Sequence, residues 1–199
     1  MIVACWNVAG RVTRLPEQAE RVLACEADVV CLQEVTQSTL ARWRSILSAR
    51  DYVGLEHGEL PNGQGRTRPL AVLTACRQPI RRVALSGMPW PERVLAVRLG
   101  DGTELVNIHS PISSKPEMAK VRTHEAVHAH VADVSATPRI VCGDLNTPRK
   151  EHADGTIWTF ARDRYVEVED CHYEHRWRED GLSDHSALLA RLRIHRTAG

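Results

Sequence analysis

The chain has almost no net charge. Its 26 Lys and Arg stand against 25 Asp and Glu, a formal +1 over 199 residues. No global basic field gathers a polyanion, so one would have to be held by local Arg and Lys clusters. The six cysteines, Cys5, Cys25, Cys31, Cys76, Cys142 and Cys171, include no CxxC pair. That argues against a structural zinc knuckle or a thioredoxin-like motif. Four of them lie in apolar runs, as small core residues do. No stretch approaches the ~18 apolar residues of a membrane span. The opening MIVACWNVAG has no basic segment and too short an apolar run for a secretory signal. A reducing, cytoplasmic compartment is therefore expected. There is no internal repeat, low-complexity tract or linker, so one domain over residues 1–199 is expected.

What is present is a regular alternation of apolar runs and helical patterns. Ile2 to Trp6 reads as a strand, and Glu17 to Glu26 as a helix opened by Pro16. Asp28 to Leu32 reads as a second strand and Thr36 to Ala49 as a second helix, with Leu40, Trp43 and Leu47 on one face. Strand, helix, strand implies that the first two strands run parallel. Gly54 to Arg68, rich in Gly and Pro, reads as a loop. Leu70–Thr74, Ile80–Leu85, Arg93–Leu99 and Glu104–His109 read as strands. The last two join at Gly100-Asp101-Gly102, an Asp-Gly hairpin signal. Lys115 to Val134 reads as a helix with Met118, Val121, Ala126, Val127 and Val131 inward. Ile140 to Cys142 is a short buried strand, and Ser186 to Ile194 a final one. This mixed order suits two sheets packed face to face with helices outside.

Polar residues sit at the ends of these separate strands: Asn7, Glu34, His109, Asp144 with Asn146, and Asp184 with His185. Loops at strand ends are where active sites collect. The densest stretch is RIVCGDLNTP, residues 139–148. Gly143 stops the strand, Asp144 and Asn146 stand two apart in the turn, and Leu145 between them points back to the core. A carboxylate and a carboxamide so placed can both reach one water or one phosphate oxygen. Asp-x-Asn before Thr-Pro is also an ordinary Asx-turn. Oxygen donors with no Cys–His set favour a hard cation such as Mg²⁺ or Mn²⁺.

The ordered set Cys5-Trp6-Asn7, Leu32-Gln33-Glu34, Val106-Asn107-Ile108-His109, Gly143-Asp144-Leu145-Asn146 and Ser183-Asp184-His185 resembles the endonuclease/exonuclease/phosphatase family of DNase I-like phosphoesterases. The resemblance implies an α/β (α+β) fold, a four-layer α/β/β/α sandwich of two mixed β-sheets flanked by helices. It implies Mg²⁺- or Mn²⁺-dependent cleavage of a phosphate ester, foremost in DNA or RNA, otherwise in a small or lipid-linked ester. By the same resemblance Glu34 is the main metal ligand, with Asn7 and Asp184 beside it. Asp144 and Asn146 orient and deprotonate the attacking water. His109 and His185 contact the scissile phosphate. The family also supplies an Asp that orients the catalytic histidine. Asp163, at the start of the run Tyr165-Val166-Glu167-Val168, is the nearest match for His185, and Asp170 is its rival. The chain is compact for the family, so the substrate groove is either open or completed by a second subunit, and a homodimer is expected to cover an exposed strand edge.

Other features have two readings each. Arg66, Arg68, Lys115 and Lys120 can contact a polyanion backbone or simply be solvated. Trp90, in Met88-Pro89-Trp90-Pro91, can stack on a base or pack in the core. His124-Glu125-Ala126-Val127-His128 spells HExxH, the zinc motif of metalloproteases. Val134 stands where a metzincin needs a third His, so the competing reading places Glu125 and both histidines on a solvent face.

Overall fold

The computed structural model describes residues 1–59, 69–113, 115, 117–132, 137–146 and 165–195. In chain order they form β1 (Ile2–Asn7), α1 (Leu15–Ala24), β2 (Val29–Val35), α2 (Gln37–Ser48), β3 (Gly54–His57), β4 (Ala71–Cys76), β5 (Ile80–Val83), β6 (Val94–Leu99), β7 (Glu104–His109), α3 (Ala119–Ala132), β8 (Arg139–Asp144), β9 (Val166–Glu174), α4 (Arg176–Glu179) and β10 (Ala187–Ile194). One sheet runs β3-β4-β2-β1-β10-β9 and the other β5-β6-β7-β8. Both are mixed: β1–β2 and β7–β8 are parallel, and the other pairs are antiparallel.

The two-residue period of a strand sorts side chains into three layers of core. Ala4, Trp6, Val30, Leu32, Leu73 and Ala75 face outward from the larger sheet, where they pack with Leu15, Ala19 and Val22 of α1 and with Leu40, Trp43 and Leu47 of α2. Val3, Cys5, Val29, Cys31 and Val72 face the other way and meet Leu95, Val97, Leu99 and Leu105 of the smaller sheet. Val94, Ala96, Val106 and Ile108 form that sheet's outer face and pack on Val127 of α3. The result is the four-layer α/β/β/α sandwich. The buried thiols belong to it as small apolar groups. Hydrogen bonding to Cys142 and burial push the Cys5 thiol well above its ordinary pKa, so it stays protonated.

Several elements differ from expectation. β3 lies in the expected loop; it is a four-residue strand beside β4, too short for its alternation to show. β9 spans nine residues, and its alternation is masked by charge because it is the outer strand of its sheet. Asp170 is therefore mid-strand, exposed, and bonded to His172 Nδ1 at 3.0 Å. α3 starts at Ala119, and its buried face is Ala119, Thr123 and Val127. Met118 and Val121 are exposed. Thr123 hides in the apolar layer because its hydroxyl bonds the Ala119 carbonyl at 2.7 Å. Leu145 is exposed too, so it does not point back to the core. The hairpin at 100–102 stands as expected, with Asp101 Oδ1 accepting from the Thr103 N–H. No helix among the described residues is long and apolar enough to cross a membrane.

Candidate active site

The period that turns Cys5 inward also turns Asn7 inward. Likewise Cys31 leads to Gln33, Leu105 to Asn107 and His109, and Cys142 to Asp144. Parallel pairing sets the C-terminal ends of these strands side by side: Asn7 is in register with Gln33, and His109 with Asp144. The two sheets thus present their polar strand ends to each other at one rim. Glu34 reaches the rim differently. The register of β2 against β4 shifts between Leu32 and Val35, and Glu34 has a left-handed φ of 57°. Gly143 carries φ 139°, and a Cβ there would stand 1.9 Å from the Ile108 carbonyl oxygen, so only glycine lets β8 lie this close to β7.

Asn7 is the hub. Its Nδ2 donates to Glu34 Oε1 at 3.1 Å and to Asp144 Oδ2 at 2.9 Å, while its Oδ1 accepts from the Ala9 N–H at 3.0 Å. His109 Nε2 lies 3.7 Å from Glu34 Oε1, and His185 Nδ1 lies 3.8 Å from Asp144 Oδ2. Asn146, with φ 48°, closes an Asx-turn through its N–H on Asp144 Oδ1 at 3.0 Å. Its side-chain amide donates to the Ser110 carbonyl at 2.7 Å. The Ser183-Asp184-His185 loop is tied to β1 from both sides. Ser183 Oγ donates to the Asn7 carbonyl at 2.6 Å, and Trp6 Nε1 donates to the His185 carbonyl at 2.9 Å. Gln18 of α1 holds the same neighbourhood from behind, donating to the Val8 and Leu182 carbonyls.

Below the rim the sheets are cross-linked by polar groups. Gln33 Nε2 donates to Asn107 Oδ1 at 2.8 Å, and Asn107 Nδ2 to the Leu73 carbonyl at 3.0 Å, all fully buried. Gln33 and Asn107 lie inside the quoted motifs, but only the inward alternation of β2 and β7 could have marked them. Arg93 was also missed. It lies just before β6, with its guanidinium carbon 4.9 Å from the centre of the Trp90 ring. Trp90 is half-buried, and one face is taken by Arg93. Burial first, then the charges of Arg93 and His185, outweigh Asp144 and push His109 down to about 4. His109 is therefore neutral near pH 7 and can serve as a hydrogen-bond donor, not as a standing positive charge.

The structure gathers Asn7, Glu34, His109, Asp144, Asn146 and His185 at one rim. Asp184 is beside them on the loop, exposed, with Oδ1 3.9 Å from His185 Nε2. Lys115 is exposed on the connection to α3, and Lys120 Nζ bonds the Asn146 carbonyl. Arg66, Arg68 and Asp163 lie outside the described residues. The two HExxH histidines sit in different settings. His128 is exposed, whereas His124 is half-buried and bonded to Ser110 Oγ at 2.9 Å. The expectation that both line a solvent face is corrected for His124.

A family model described as the endonuclease/exonuclease/phosphatase family matches residues 4–185. The chain belongs to the endonuclease/exonuclease/phosphatase family. An AP endonuclease from Archaeoglobus fulgidus superposes with a TM-score of 0.69 at 14% identity, covering 98% of this chain and 100% of that one. TDP2 from D. rerio, complexed with single-strand DNA product, gives 0.71 at 13%, covering 98% and 99%. The 3' phosphatase NExo from Neisseria, bound to a product DNA hairpin, gives 0.65 at 15%, covering 97% and 99%. No curated protein matches by sequence. At these identities the structures speak for the fold.

Members of the endonuclease/exonuclease/phosphatase family are hydrolases of phosphoester bonds and are generally dependent on a divalent metal. Among the described residues no group of three or more His, Cys, Asp and Glu side chains forms a ready metal cage. What converges instead is a pair of carboxylate oxygens, Glu34 Oε1 and Asp144 Oδ2, on the single amide of Asn7. Glu34, the exposed Asp184 and the Asn7 amide oxygen, which keeps a lone pair beyond its bond from the Ala9 N–H, are all oxygen donors and fit a hard cation of the Mg²⁺ type. Such ions take one or two carboxylates and fill the rest of their shell with water and phosphate oxygens.

Proposed function

We propose that this protein is a divalent-metal-dependent phosphodiesterase that cleaves nucleic acid. The observation that carries the reading is the convergence of Glu34 and Asp144 on Asn7, with His109 and His185 flanking the two carboxylates. Glu34, with Asn7 and Asp184, would hold Mg²⁺ or Mn²⁺. Bound there, the ion would neutralise charge on the phosphate and polarise its P–O bonds.

The remaining roles follow from this chain's own groups. Asp144, whose carboxylate oxygens keep lone pairs beyond their bonds from Asn7 and Asn146, can orient a water and take its proton. Asn146, fixed through the Asx-turn, sets the position of that carboxylate. His109, neutral and buried, donates a hydrogen bond to a phosphate oxygen. His185, more open, faces the same locus from the last loop. Arg93 lies near enough to His109 for its charge to be felt there, and it adds the positive charge that an anionic substrate needs. Similarity to an AP endonuclease and to a DNA-product complex favours nucleic acid as substrate, and similarity to a 3' phosphatase keeps a terminal phosphate as the second reading.

The test is a panel of labelled single- and double-stranded DNA, RNA, abasic duplex and 3'-phosphorylated oligonucleotides. EDTA should abolish turnover, and Mg²⁺ or Mn²⁺ should restore it. Undiminished turnover in EDTA would sink the metal assignment. Release of inorganic phosphate with no strand cleavage would select the second reading.

A further inference from the structure

His124 is the one HExxH residue that points at the site. Its Nε2 lies 2.9 Å from Ser110 Oγ. Ser110 is wholly buried, and every polar group on it is engaged. Its N–H donates to the Asp144 carbonyl at 2.8 Å, and its own carbonyl accepts from Asn146 Nδ2 at 2.7 Å. One residue therefore grips the Asp144–Asn146 turn at both ends, and its hydroxyl is gripped in turn by α3. Lys120, one helical turn before His124 on the same face, bonds the Asn146 carbonyl.

Ser110 follows the last residue of β7 and opens the irregular connection to α3, with exposed Ile112 two residues on. Past His109 the strand keeps one backbone bond, from the Ser110 N–H to the Asp144 carbonyl, and the bond between the Ser110 hydroxyl and His124 adds a second hold on the same residue. Asn146 is also in the left-handed region, which for a residue other than glycine must be maintained by its surroundings. Burial and the nearby Lys120 charge lower the pKa of His124, which is consistent with a neutral ring sharing a hydrogen bond with the hydroxyl.

We infer that His124 is a positioning residue: acting through Ser110, it holds the Asp144–Asn146 turn in the geometry that phosphodiester cleavage requires. The inference rests on the function proposed above. It also gives the HExxH run a role with no zinc in it.

Steady-state kinetics with Mg²⁺ on a phosphodiester substrate test it, using Ser110→Ala, His124→Ala, the double variant, His124→Gln and Asn146→Ala. Each of the first two should lower kcat about five- to tenfold, the weight of one neutral hydrogen bond, with KM within about twofold. The double variant should be no worse than either single variant, because both remove the same bond. His124→Gln, which can still offer an amide to Ser110, should recover most of the rate. Wild-type kcat in His124→Ala, additive losses in the double variant, or a loss that follows the melting temperature and is not recovered by Gln would each overturn the inference. Asn146→Ala separates the two levels. A crippled Asn146→Ala beside an intact His124→Ala defeats only the positioning role. Full activity in Asn146→Ala takes the turn out of the chemistry and overturns the inference, whereas a wild-type protein that does not turn the substrate over defeats the phosphoesterase assignment itself.

Discussion

Asp144 is held in place by donors that do not need its charge. Asn7 Nδ2 binds one oxygen and the Asn146 N–H the other. An amide in its place keeps the size and, with its oxygen toward the Asn146 N–H, keeps the turn, while its NH2 no longer accepts from Asn7 Nδ2. What disappears is the negative charge beside Glu34 and His185 and the ability to take a proton. Losing a general base or a water-orienting group costs ~10²–10⁴-fold in rate. Asp144→Asn should therefore lose at least ~10²-fold in kcat while its melting temperature stays within a few degrees. Removing one of two neighbouring carboxylates relieves repulsion, which works in favour of stability. A variant that turns over at the wild-type rate would show the Gly-Asp-Leu-Asn turn to be structural only. At this scale the sequence was informative: six of the polar residues at strand ends, Asn7, Glu34, His109, Asp144, Asn146 and His185, gather at one rim. Less legible was the wiring among them. That Asn7 bridges two carboxylates, and that Ser110 is clasped from three directions, depends on distances that no spacing encodes.

Between the elements, the Gln33–Asn107 pair decides how the two sheets meet beneath the site. Both side chains are fully buried and share one bond, from Gln33 Nε2 to Asn107 Oδ1, while Asn107 Nδ2 also serves the Leu73 carbonyl. Removing one partner leaves a buried amide with an unmet bond, at ~1–3 kcal/mol. Removing both takes away the donor and the acceptor of their shared bond together, so the cost of that bond is counted once, while the Leu73 carbonyl still loses the Asn107 amide. Gln33→Leu and Asn107→Leu should each destabilise by ~1–3 kcal/mol in denaturant unfolding. The double variant should lose clearly less than the sum, a coupling that a mutant cycle measures directly. Strict additivity would mean that the amides act independently. The same scale shows where sequence reading succeeded and failed. β1, β4 and β6 are mostly apolar runs because both of their faces are covered, and β2 and β7 add to theirs the polar residues of the rim and the sheet contact. β9 is an outer strand carrying Glu167, Glu169 and Asp170 toward solvent, so its length was hidden. The buried face of α3 was misjudged because Thr123 occupies it, satisfied internally, while apolar Val121 lies outside.

Across the whole molecule, the smaller sheet and α3 are joined at the end away from the rim by a buried carboxylate. Glu104 opens β7 and is 1% exposed. Arg98 Nη2 of β6 lies 2.9 Å from it, His130 Nε2 of α3 2.5 Å, and Arg139 Nε of β8 3.5 Å. Burial alone would raise its pKa. Hydrogen bonds from Arg98 and His130, with the charges of His130 and Arg139, outweigh burial and lower it. A carboxylate whose folded pKa lies below its unfolded value of ~4.3 stabilises the fold fully above that value. It loses the contribution as pH falls toward the folded pKa. Glu104→Gln should cost ~3–5 kcal/mol at pH 7, because it breaks a buried ion network and leaves cationic partners behind. It should also remove part of the acid sensitivity. Urea unfolding at steps from pH 6 to about 3 should show the wild-type stability falling more steeply below ~4.5 than that of the variant. Parallel curves for the two proteins would mean that Glu104 carries no pH-linked stability, and that its neighbours are placed by packing alone.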